Sequence, residues 1–309
     1  MTGVLLMSYG TPASLDDVEA YYTHIRGGRR PSPELIEGLV ARYRTIGGLS
    51  PLLDITRRQA AALEAALNGP HGKTFGVYVG MKHAPPFIAD AVAEMAGDGL
   101  GRGLAMALAP HYSRMSIGGY INTVKKALGE LPSPLPMAFV ESWHDHPNFL
   151  AALAEGLHEA LGRLSQAGRA AVHVIFTAHS LPARILEWDD PYPRELRHTC
   201  EGVARLAGLK QWDFAYQSAG HTPDPWLGPD VKEVLERLAA DGTRVVVVCP
   251  VGFVADHLEV LYDIDVECQA LAASLGMRLE RTPSLNDRPR FIIALAEIVR
   301  SHLRTAGDP

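Results

Sequence analysis

The sequence predicts an α/β fold built from parallel β-sheets, and three observations lead to this prediction. Short apolar runs alternate with longer amphipathic stretches along all 309 residues. Strands separated by helices are typical of βαβ units, in which a helix joins two parallel strands. The order of motifs in the first half of the chain recurs in the second half. The length suggests two domains of ordinary size, and a hydrophobic content of 47% allows a sizeable core.

The predicted elements follow from the period of the apolar residues. The predicted strands are the short apolar runs at Val4–Met7, Phe75–Val79, Leu104–Leu108, Met137–Val140, Val172–Phe176, Phe214–Tyr216 and Val245–Cys249. Helical patterns lie between them, for example at Pro33–Arg44, Thr56–Leu67 and Pro229–Ala240. A run at Leu279–Arg281 stands where the fourth strand of a second set belongs.

Matching motifs indicate that the chain is a duplication of a four-strand unit. Val4–Pro12 resembles Val174–Pro182, because each is an apolar strand followed by a ring-bearing polar residue, a small residue and then a proline. Three further motif pairs follow in the same order. We place the boundary near residue 168, which gives lobes of residues 1–168 and 169–309. The helices that follow each fourth strand are free to pack on either lobe.

Tyr9 and His179 occupy equivalent places in the two halves, directly after or at the end of the first strand. Ligands of open α/β sheets bind beyond the carboxyl ends of the strands. We therefore expect the two side chains to face a cleft from opposite walls, so that a flat ligand meets one on each face. A histidine here can accept protons or bind a metal. The alternative is a loop histidine bonded to the backbone.

An acidic segment, Gly252–Cys268, follows a late strand. If it is helical, four carboxylates fall on one face: Asp256, Glu259, Asp263 and Glu267. Like charges four residues apart cost a helix about 0.2–0.5 kcal/mol per pair, unless cations offset them. Carboxylates spaced in this way suit a divalent cation that passes from solvent toward the cleft. The alternative is an ordinary solvated acidic face.

Two other segments carry candidate features. Arg26, Arg29 and Arg30 lie in a glycine-rich stretch and could pair with carboxylates of a substrate, or could form a solvated basic turn. The rigid loop 217–230 carries Trp226, which we expect to lie in the core.

Composition weighs against several classes of protein. A net charge of −6 disfavours nucleic acid as the main partner. The chain has no run of 18 apolar residues, so we do not expect an integral membrane protein, and the first residues read as a strand rather than a signal peptide. Cys200, Cys249 and Cys268 form no CxxC pattern, which favours a reducing cytoplasm and buried, inert thiols.

Taken together, these strings resemble the ferrochelatase family, and most closely its coproporphyrin type from Gram-positive bacteria. The resemblance runs from Leu5 to Phe291. Its most specific strings are Tyr21–Arg26, Ile46–Leu52, Ala178–Pro182, Asp190–Pro193, Thr222–Asp230 and Val251–Tyr262. It implies two Rossmann-like chelatase lobes, each a four-stranded parallel sheet flanked by helices, with a porphyrin in the cleft. The implied activity is insertion of Fe²⁺ into coproporphyrin III in haem biosynthesis.

The resemblance also assigns site residues. It implies that His179 and Glu259 are catalytic and bind iron, and that Tyr9 lies on the opposite face of the macrocycle. Its substrate-contacting residues fall on Arg26, Arg42, Tyr43, Ser50 and Tyr120. We expect Asp263 and Glu267 to lead iron inward. The sequence leaves open which of His179 and Glu259 is the base and which is the metal ligand.

Two departures from the family pattern concern single residues. Gly27 stands where a second arginine is often found, and Asp189 replaces the glycine before Asp190–Pro193. A cysteine-bearing C-terminal extension is absent, so we expect no iron–sulfur cluster and no other cofactor, since Fe²⁺ is a substrate. We expect a cytoplasmic monomer.

Two rival functions remain open from the sequence. One is a cobalt or nickel chelatase acting on another tetrapyrrole, although such enzymes typically carry more metal-binding histidines. The other is a two-lobed binding protein for metal or haem, without catalysis.

Overall fold

The computed structural model describes residues 1–70, 72–220 and 222–305, so His71, His221 and residues 306–309 lie outside the described residues. The last four residues of the second predicted lobe are among them.

The described strands form two four-stranded sheets with the same topology. The first contains β1 (Thr2–Ser8), β2 (Phe75–Met81), β3 (Arg102–Ala107) and β4 (Met137–Val140). The second contains β5 (His173–His179), β6 (Trp212–Gln217), β7 (Val245–Pro250) and β8 (Arg278–Arg281). The strand orders are β2-β1-β3-β4 and β6-β5-β7-β8, and every pair is parallel. The predicted α/β fold of two four-stranded parallel sheets is confirmed.

The helices lie between the strands and flank both sheets. In the first half they are α1 (Val18–Ile25), α2 (Pro33–Thr45), α3 (Leu52–Asn68), α4 (Ile88–Gly97), α5 (Ile117–Gly129), α6 (Pro147–Gly162) and α7 (Gln166–Ala171). In the second half they are α8 (Tyr192–Ala207), α9 (Val231–Ala240), α10 (Leu258–Tyr262), α11 (Gln269–Ser274) and α12 (Pro289–Thr305). None of the helices in the described ranges combines the length and hydropathy that a bilayer crossing requires.

Strands β1 and β7 are largely apolar because helices cover both faces of each sheet. All seven residues of β1 are buried, and so are five of the six residues of β7. This burial explains why continuous apolar runs, rather than alternating patterns, marked the strands in the sequence.

The helix that follows the fourth strand of each half packs against the other half. Helix α6 packs on α8 and β7 of the second half, whereas α12 packs on α3, α6 and β4 of the first half. One cluster of buried apolar side chains therefore extends through both halves, and it includes Leu6, Phe149, Phe176 and Phe291. The proposed boundary at residue 168 falls inside α7 and stays a prediction.

Asp189 has the backbone conformation of a glycine. It ends a short 3₁₀-helix, Ala183–Trp188, with φ 49° and ψ 40°, in the left-handed region. Aspartate is one of the few residues that tolerate this region, and its carboxylate accepts a hydrogen bond from Arg194 at 2.8 Å. The departure from glycine is thus accommodated without a change in the path of the chain.

Candidate active site

A large cavity lies where the carboxyl ends of the two sheets face each other. Its volume is about 1260 Å³. Its walls include residues at or just after the ends of five strands, namely Tyr9, Lys82, His179, Ser218 and Gly252. This is the location that an open α/β sheet predicts for a ligand.

Most of the predicted site residues line this one cavity. They are Tyr9, Arg42, Tyr43, Ser50, Tyr120, His179, Glu259, Asp263 and Glu267. Arg26 is not among the lining residues, and its guanidinium lies 5.8 Å from the centre of the Tyr22 ring. Arg30 is largely exposed and pairs with Glu19 at 2.5 Å. The role assigned to Arg26 therefore stays a prediction that the cavity does not support.

His179 is held in one orientation at the end of β5. Its Nδ1 atom donates a hydrogen bond to the carbonyl of Ser180, and its own carbonyl accepts one from the Tyr192 hydroxyl at 2.8 Å. The other ring nitrogen, Nε2, lies 3.5 Å from Oε1 of Glu259. Since Nδ1 carries the proton, Nε2 is the atom that can bind a metal or take a proton.

A second histidine contacts the same carboxylate. His257 Nε2 lies 3.5 Å from the other oxygen of Glu259, Oε2, and His257 Nδ1 donates to the carbonyl of Ala255 at 2.9 Å. Glu259 therefore lies between two imidazoles whose Nδ1 atoms both face backbone carbonyls. His257 is absent from the sequence-based candidates, and the only signal for it was its position two residues before Glu259.

The charges of this pair are set by its surroundings. Burial is the largest single effect and lowers the pKa of His179, but Glu259, the carbonyl of Ser180 and Asp263 together outweigh it and raise the pKa to about 9. Burial raises the pKa of Glu259, but His179 and His257 together hold it well below its usual range. The contact is thus an imidazolium–carboxylate ion pair at neutral pH.

The acidic segment differs in part from its prediction. Helix α10 begins at Leu258, so Asp256 precedes the helix and does not belong to the acidic stripe. Its carboxylate instead accepts hydrogen bonds from Ser284 at 2.7 Å and Asn286 at 2.8 Å. Those bonds connect the start of the segment to the loop that precedes α12, which is a structural role.

The three remaining carboxylates line the cavity along a helix whose type changes locally. A π-helix, Asp263–Cys268, follows α10 directly and leads into α11. A π-helix has more residues per turn than an α-helix, so side chains four residues apart stay close to one face. Glu259, Asp263 and Glu267 therefore all reach the cavity wall.

Positively charged side chains and a hydroxyl group contact the two outer carboxylates, Asp263 and Glu267. The Ser218 hydroxyl donates to Asp263, and Arg42 Nη2 lies 3.6 Å from Asp263 Oδ1 and 3.7 Å from Glu267 Oε1. Lys232 Nζ lies 2.6 Å from the other oxygen of Glu267. Burial raises the pKa of Asp263 to about 6, although Ser218 and Arg42 oppose this effect.

The facing wall is aromatic. The Tyr9 ring lies 4.6 Å from the His83 ring, and burial and the charge of Glu259 raise the pKa of Tyr9 well above its usual value. Tyr9 therefore stays a neutral phenol. Trp226 also lines the cavity, with its ring 6.5 Å from that of His179, so the expectation that it lies in the core is wrong.

These walls define what the site can do. A flat ligand between Tyr9 and His179 meets a neutral phenol on one face and an imidazole–carboxylate pair on the other. In the part of the chain that the structure describes, no three His, Cys, Asp or Glu side chains converge to hold a metal ion together.

Solved structures of chelatases share this two-sheet fold. In solved structures, the fold resembles a sirohydrochlorin chelatase, SirB from Bacillus subtilis subspecies spizizenii in complex with cobalt. The TM-score is 0.60 at 12% identity, covering 98% of this chain and 96% of that chain. At this identity the likeness concerns the fold alone.

The chain belongs to the ferrochelatase family, whose model matches residues 1–303. It is 46% identical to a ferrochelatase of Herpetosiphon aurantiacus, over 96% of this chain and 98% of the relative. It is 45% identical to a coproporphyrin III ferrochelatase of Geobacillus thermodenitrificans, over 99% of this chain and 97% of the relative. The resemblance drawn from the sequence is thereby confirmed, and with it the class of enzyme.

Proposed function

We propose that this chain inserts Fe²⁺ into coproporphyrin III to form Fe-coproporphyrin III, coprohaem, in haem biosynthesis. The observation that carries the proposal is the His179–Glu259 pair, which faces Tyr9 across a cavity of about 1260 Å³. Small-molecule sites commonly measure about 300–1000 Å³, so this cavity suits a larger, flat ligand. Relatives of 43–45% identity that bear the name coproporphyrin III ferrochelatase support the same activity.

The walls prepare the macrocycle for metallation. A free-base porphyrin is flat, and its two inner N–H protons block the metal. Contacts with the outer parts of the ring supply binding energy that can distort the centre and expose nitrogen lone pairs. Tyr9 and Tyr120 lie among these contacts.

The ion pair couples arrival of iron to removal of a proton. Fe²⁺ that binds Glu259 withdraws the negative charge that raises the pKa of His179 and adds a positive charge nearby. Both effects lower that pKa and release the proton from Nε2. His179 is then free to accept a proton from the porphyrin, so we assign the role of base to His179 and that of metal ligand to Glu259. His179 passes the first of the two inner protons to solvent and then accepts the second, so two protons leave as one Fe²⁺ enters and charge is conserved.

Asp263 and Glu267 lead iron toward Glu259 in this proposal. Both line the cavity on the π-helix that continues α10, where Arg42 lies near both carboxylates and Lys232 pairs with Glu267. An incoming divalent cation competes with these side chains for carboxylates that already lie at the wall. Oxygen ligands of this kind exchange such cations readily.

The preference for coproporphyrin III over protoporphyrin IX follows from charge. Coproporphyrin carries four propionates and protoporphyrin two, so the former needs more polar partners around the ring. Arg42, Tyr43 and Ser50 line one side of the cavity. The segment Arg184–Arg197 near the cavity exposes Leu186 and Trp188, but Arg114 lies over the Trp188 ring at 5.3 Å, so this surface is not purely apolar.

We also propose that the protein is a cytoplasmic monomer without a cofactor of its own. The chain contains three cysteines, fewer than the four that an iron–sulfur cluster usually needs. All three are buried, and burial raises the pKa of Cys249 to about 12, which suits an inert thiol.

Anaerobic metallation tests the proposal. We expect purified enzyme to turn over many equivalents of coproporphyrin III with Fe²⁺, and to give a lower kcat/KM with detergent-solubilised protoporphyrin IX. Equal or higher kcat/KM with protoporphyrin IX would contradict the assigned substrate. A product yield that stops at one equivalent would indicate a binding protein, and a preference for Co²⁺ would indicate a cobalt chelatase.

A further inference from the structure

Lys82 lies in the cavity wall directly after β2. Its backbone N–H donates to the carbonyl of Ser8 at 2.9 Å, which ties it to the end of β1. Its Nζ atom lies 4.9 Å from the centre of the Tyr120 ring, and both side chains line the cavity. The ammonium group is therefore presented to the ligand beside a phenol.

Lys82 differs from the other cations that line this cavity. Arg42 lies near Asp263 and Glu267, and Lys232 pairs with Glu267. Among the residues that the structure describes, no carboxylate lies within ion-pair distance of Lys82. Its neighbour His83 has a pKa lowered to about 4 by burial and by Lys82 itself, so it is neutral and cannot share the charge.

A half-buried cation without a counter-ion is costly for the empty protein. Burial lowers the pKa of Lys82, which reflects this cost. The carboxylates of the metal wall lie on α10 and the π-helix, whereas Lys82 follows β2 in the other lobe. The cavity is thus divided into an acidic wall that suits a cation and a corner that lacks a negative charge.

We infer that Lys82 binds a propionate of the porphyrin beside Tyr120 and thereby contributes to the choice of substrate. The inference rests on the proposed function, because it assumes a porphyrin with ionised carboxylates in the cavity. The ligand supplies the counter-ion that the protein lacks, and the Tyr120 hydroxyl is a neighbouring donor. Lys82 follows β2, whereas Arg42 lies on α2 beside Asp263 and Glu267, so the porphyrin gains a second point of attachment that limits its rotation in the plane of the ring.

The test is the variant Lys82→Met, which keeps the apolar stem over Tyr120 and removes the charge. Lys125→Met is the matched control, because Lys125 makes a similar contact with Phe139 at 5.6 Å but does not line the cavity. Binding of coproporphyrin III to the iron-free proteins is measured by fluorescence quenching at several salt concentrations. A charge-assisted hydrogen bond of ordinary strength corresponds to about tenfold to a hundredfold in Kd.

We expect Lys82→Met to raise the Kd by that factor, to weaken the salt dependence of binding, and to leave kcat at saturating porphyrin within about threefold of the wild-type value. Without ligand, Lys82→Met should unfold at a temperature at least as high as the wild type, because an unpaired charge has been removed. Lys125→Met should bind like the wild type. A wild-type Kd in Lys82→Met would overturn the inference, as would a loss confined to kcat. A separate result would contradict the proposed substrate: wild-type enzyme that prefers protoporphyrin IX to coproporphyrin III.

Discussion

His179 Nε2 and Glu259 Oε1 lie 3.5 Å apart, and this contact opposes what burial would do to each group. Burial alone would keep the imidazole neutral and the carboxyl protonated. Together the two groups are charged, because each stabilises the charge of the other. In the proposed mechanism, His179 therefore keeps its proton until Fe²⁺ binds Glu259.

The first prediction concerns the titration of His179. In the iron-free protein we expect its midpoint above 6.5, near 9, whereas in Glu259→Gln it should fall because only the Ser180 carbonyl and Asp263 then oppose the effect of burial. An NMR titration of ¹⁵N-labelled histidines measures both values. A midpoint that is unchanged in Glu259→Gln would show that the carboxylate does not control the imidazole.

The second prediction concerns loss of His179. His179→Ala should lower kcat by about 10²- to 10⁴-fold, the usual contribution of a positioned acid or base. Coproporphyrin III binding, followed by fluorescence quenching, should change little, because the cavity walls make most of the contact. Near-normal turnover by this variant would refute the role assigned to His179.

The third prediction separates the inner carboxylate from the outer one. Glu259→Gln should be almost inactive, since Glu259 contacts both His179 and His257. Glu267→Gln should lose much less kcat and mainly require more Fe²⁺ for half-maximal rate, because Glu267 meets solvent and Lys232. A larger loss of kcat at Glu267 would mean that delivery of iron, rather than insertion, limits the rate.

The fourth prediction concerns Asp263 and pH. Its pKa is raised to about 6 in the folded protein, so the folded state binds this proton more tightly than the unfolded state does. The associated stability is fully present below pH 3.8, the ordinary pKa, and is lost as pH rises through about 6. At pH 8 the ionised carboxylate costs up to about 3 kcal/mol. Asp263→Asn, which can still accept the Ser218 hydrogen bond, should therefore raise Tm at pH 8.

The control for Asp263→Asn is Glu267→Gln, which removes the partner of Lys232 and should lower Tm slightly. Calorimetry of iron-free protein at pH 4.5 and pH 8 measures both variants. We expect the gain from Asp263→Asn to shrink at pH 4.5. A lower Tm at pH 8 would mean that the contact with Arg42 outweighs the cost of burial.

The fifth prediction concerns the left-handed residue Asp189. Asp189→Gly and Asp189→Ala both remove the contact with Arg194. The difference between their free energies of unfolding therefore measures the cost of the left-handed backbone conformation alone. Alanine in this conformation costs about 1–2 kcal/mol relative to an unstrained residue. Urea unfolding should therefore give Asp189→Ala a free energy of unfolding about 1 kcal/mol below that of Asp189→Gly. Equal values would contradict a strained backbone at this position.

The strands and the cavity could be predicted because each depends on a local pattern. The apolar run of β1 and the tyrosine that follows it are visible in the sequence, and parallel sheets place such residues at one edge. The matching run before His179 predicted the second sheet by the same reasoning. Both predictions required only the period of the side chains and the direction of the strands.

Features that depend on contacts between distant segments could not be predicted. The π-helix at Asp263–Cys268 has no signature in its own residues, and the start of α10 at Leu258, after Asp256, could not be seen in the sequence. His257 becomes part of the site only because its backbone bends before α10 and turns its ring toward Glu259. Arg26 resembles a ligand-binding residue in sequence, yet it stacks on Tyr22.

The exchange of α6 and α12 between the halves has a consequence for the origin of the chain. Either half alone would lack the helix that covers it and would project its own last helix into solvent. A single-lobe ancestor of this topology would have needed a second copy, with each copy lending its final helix to the other. Fusion of two such genes would join a domain-swapped dimer into one chain and would free its two identical walls to diverge, one toward an aromatic surface and the other toward an acidic one.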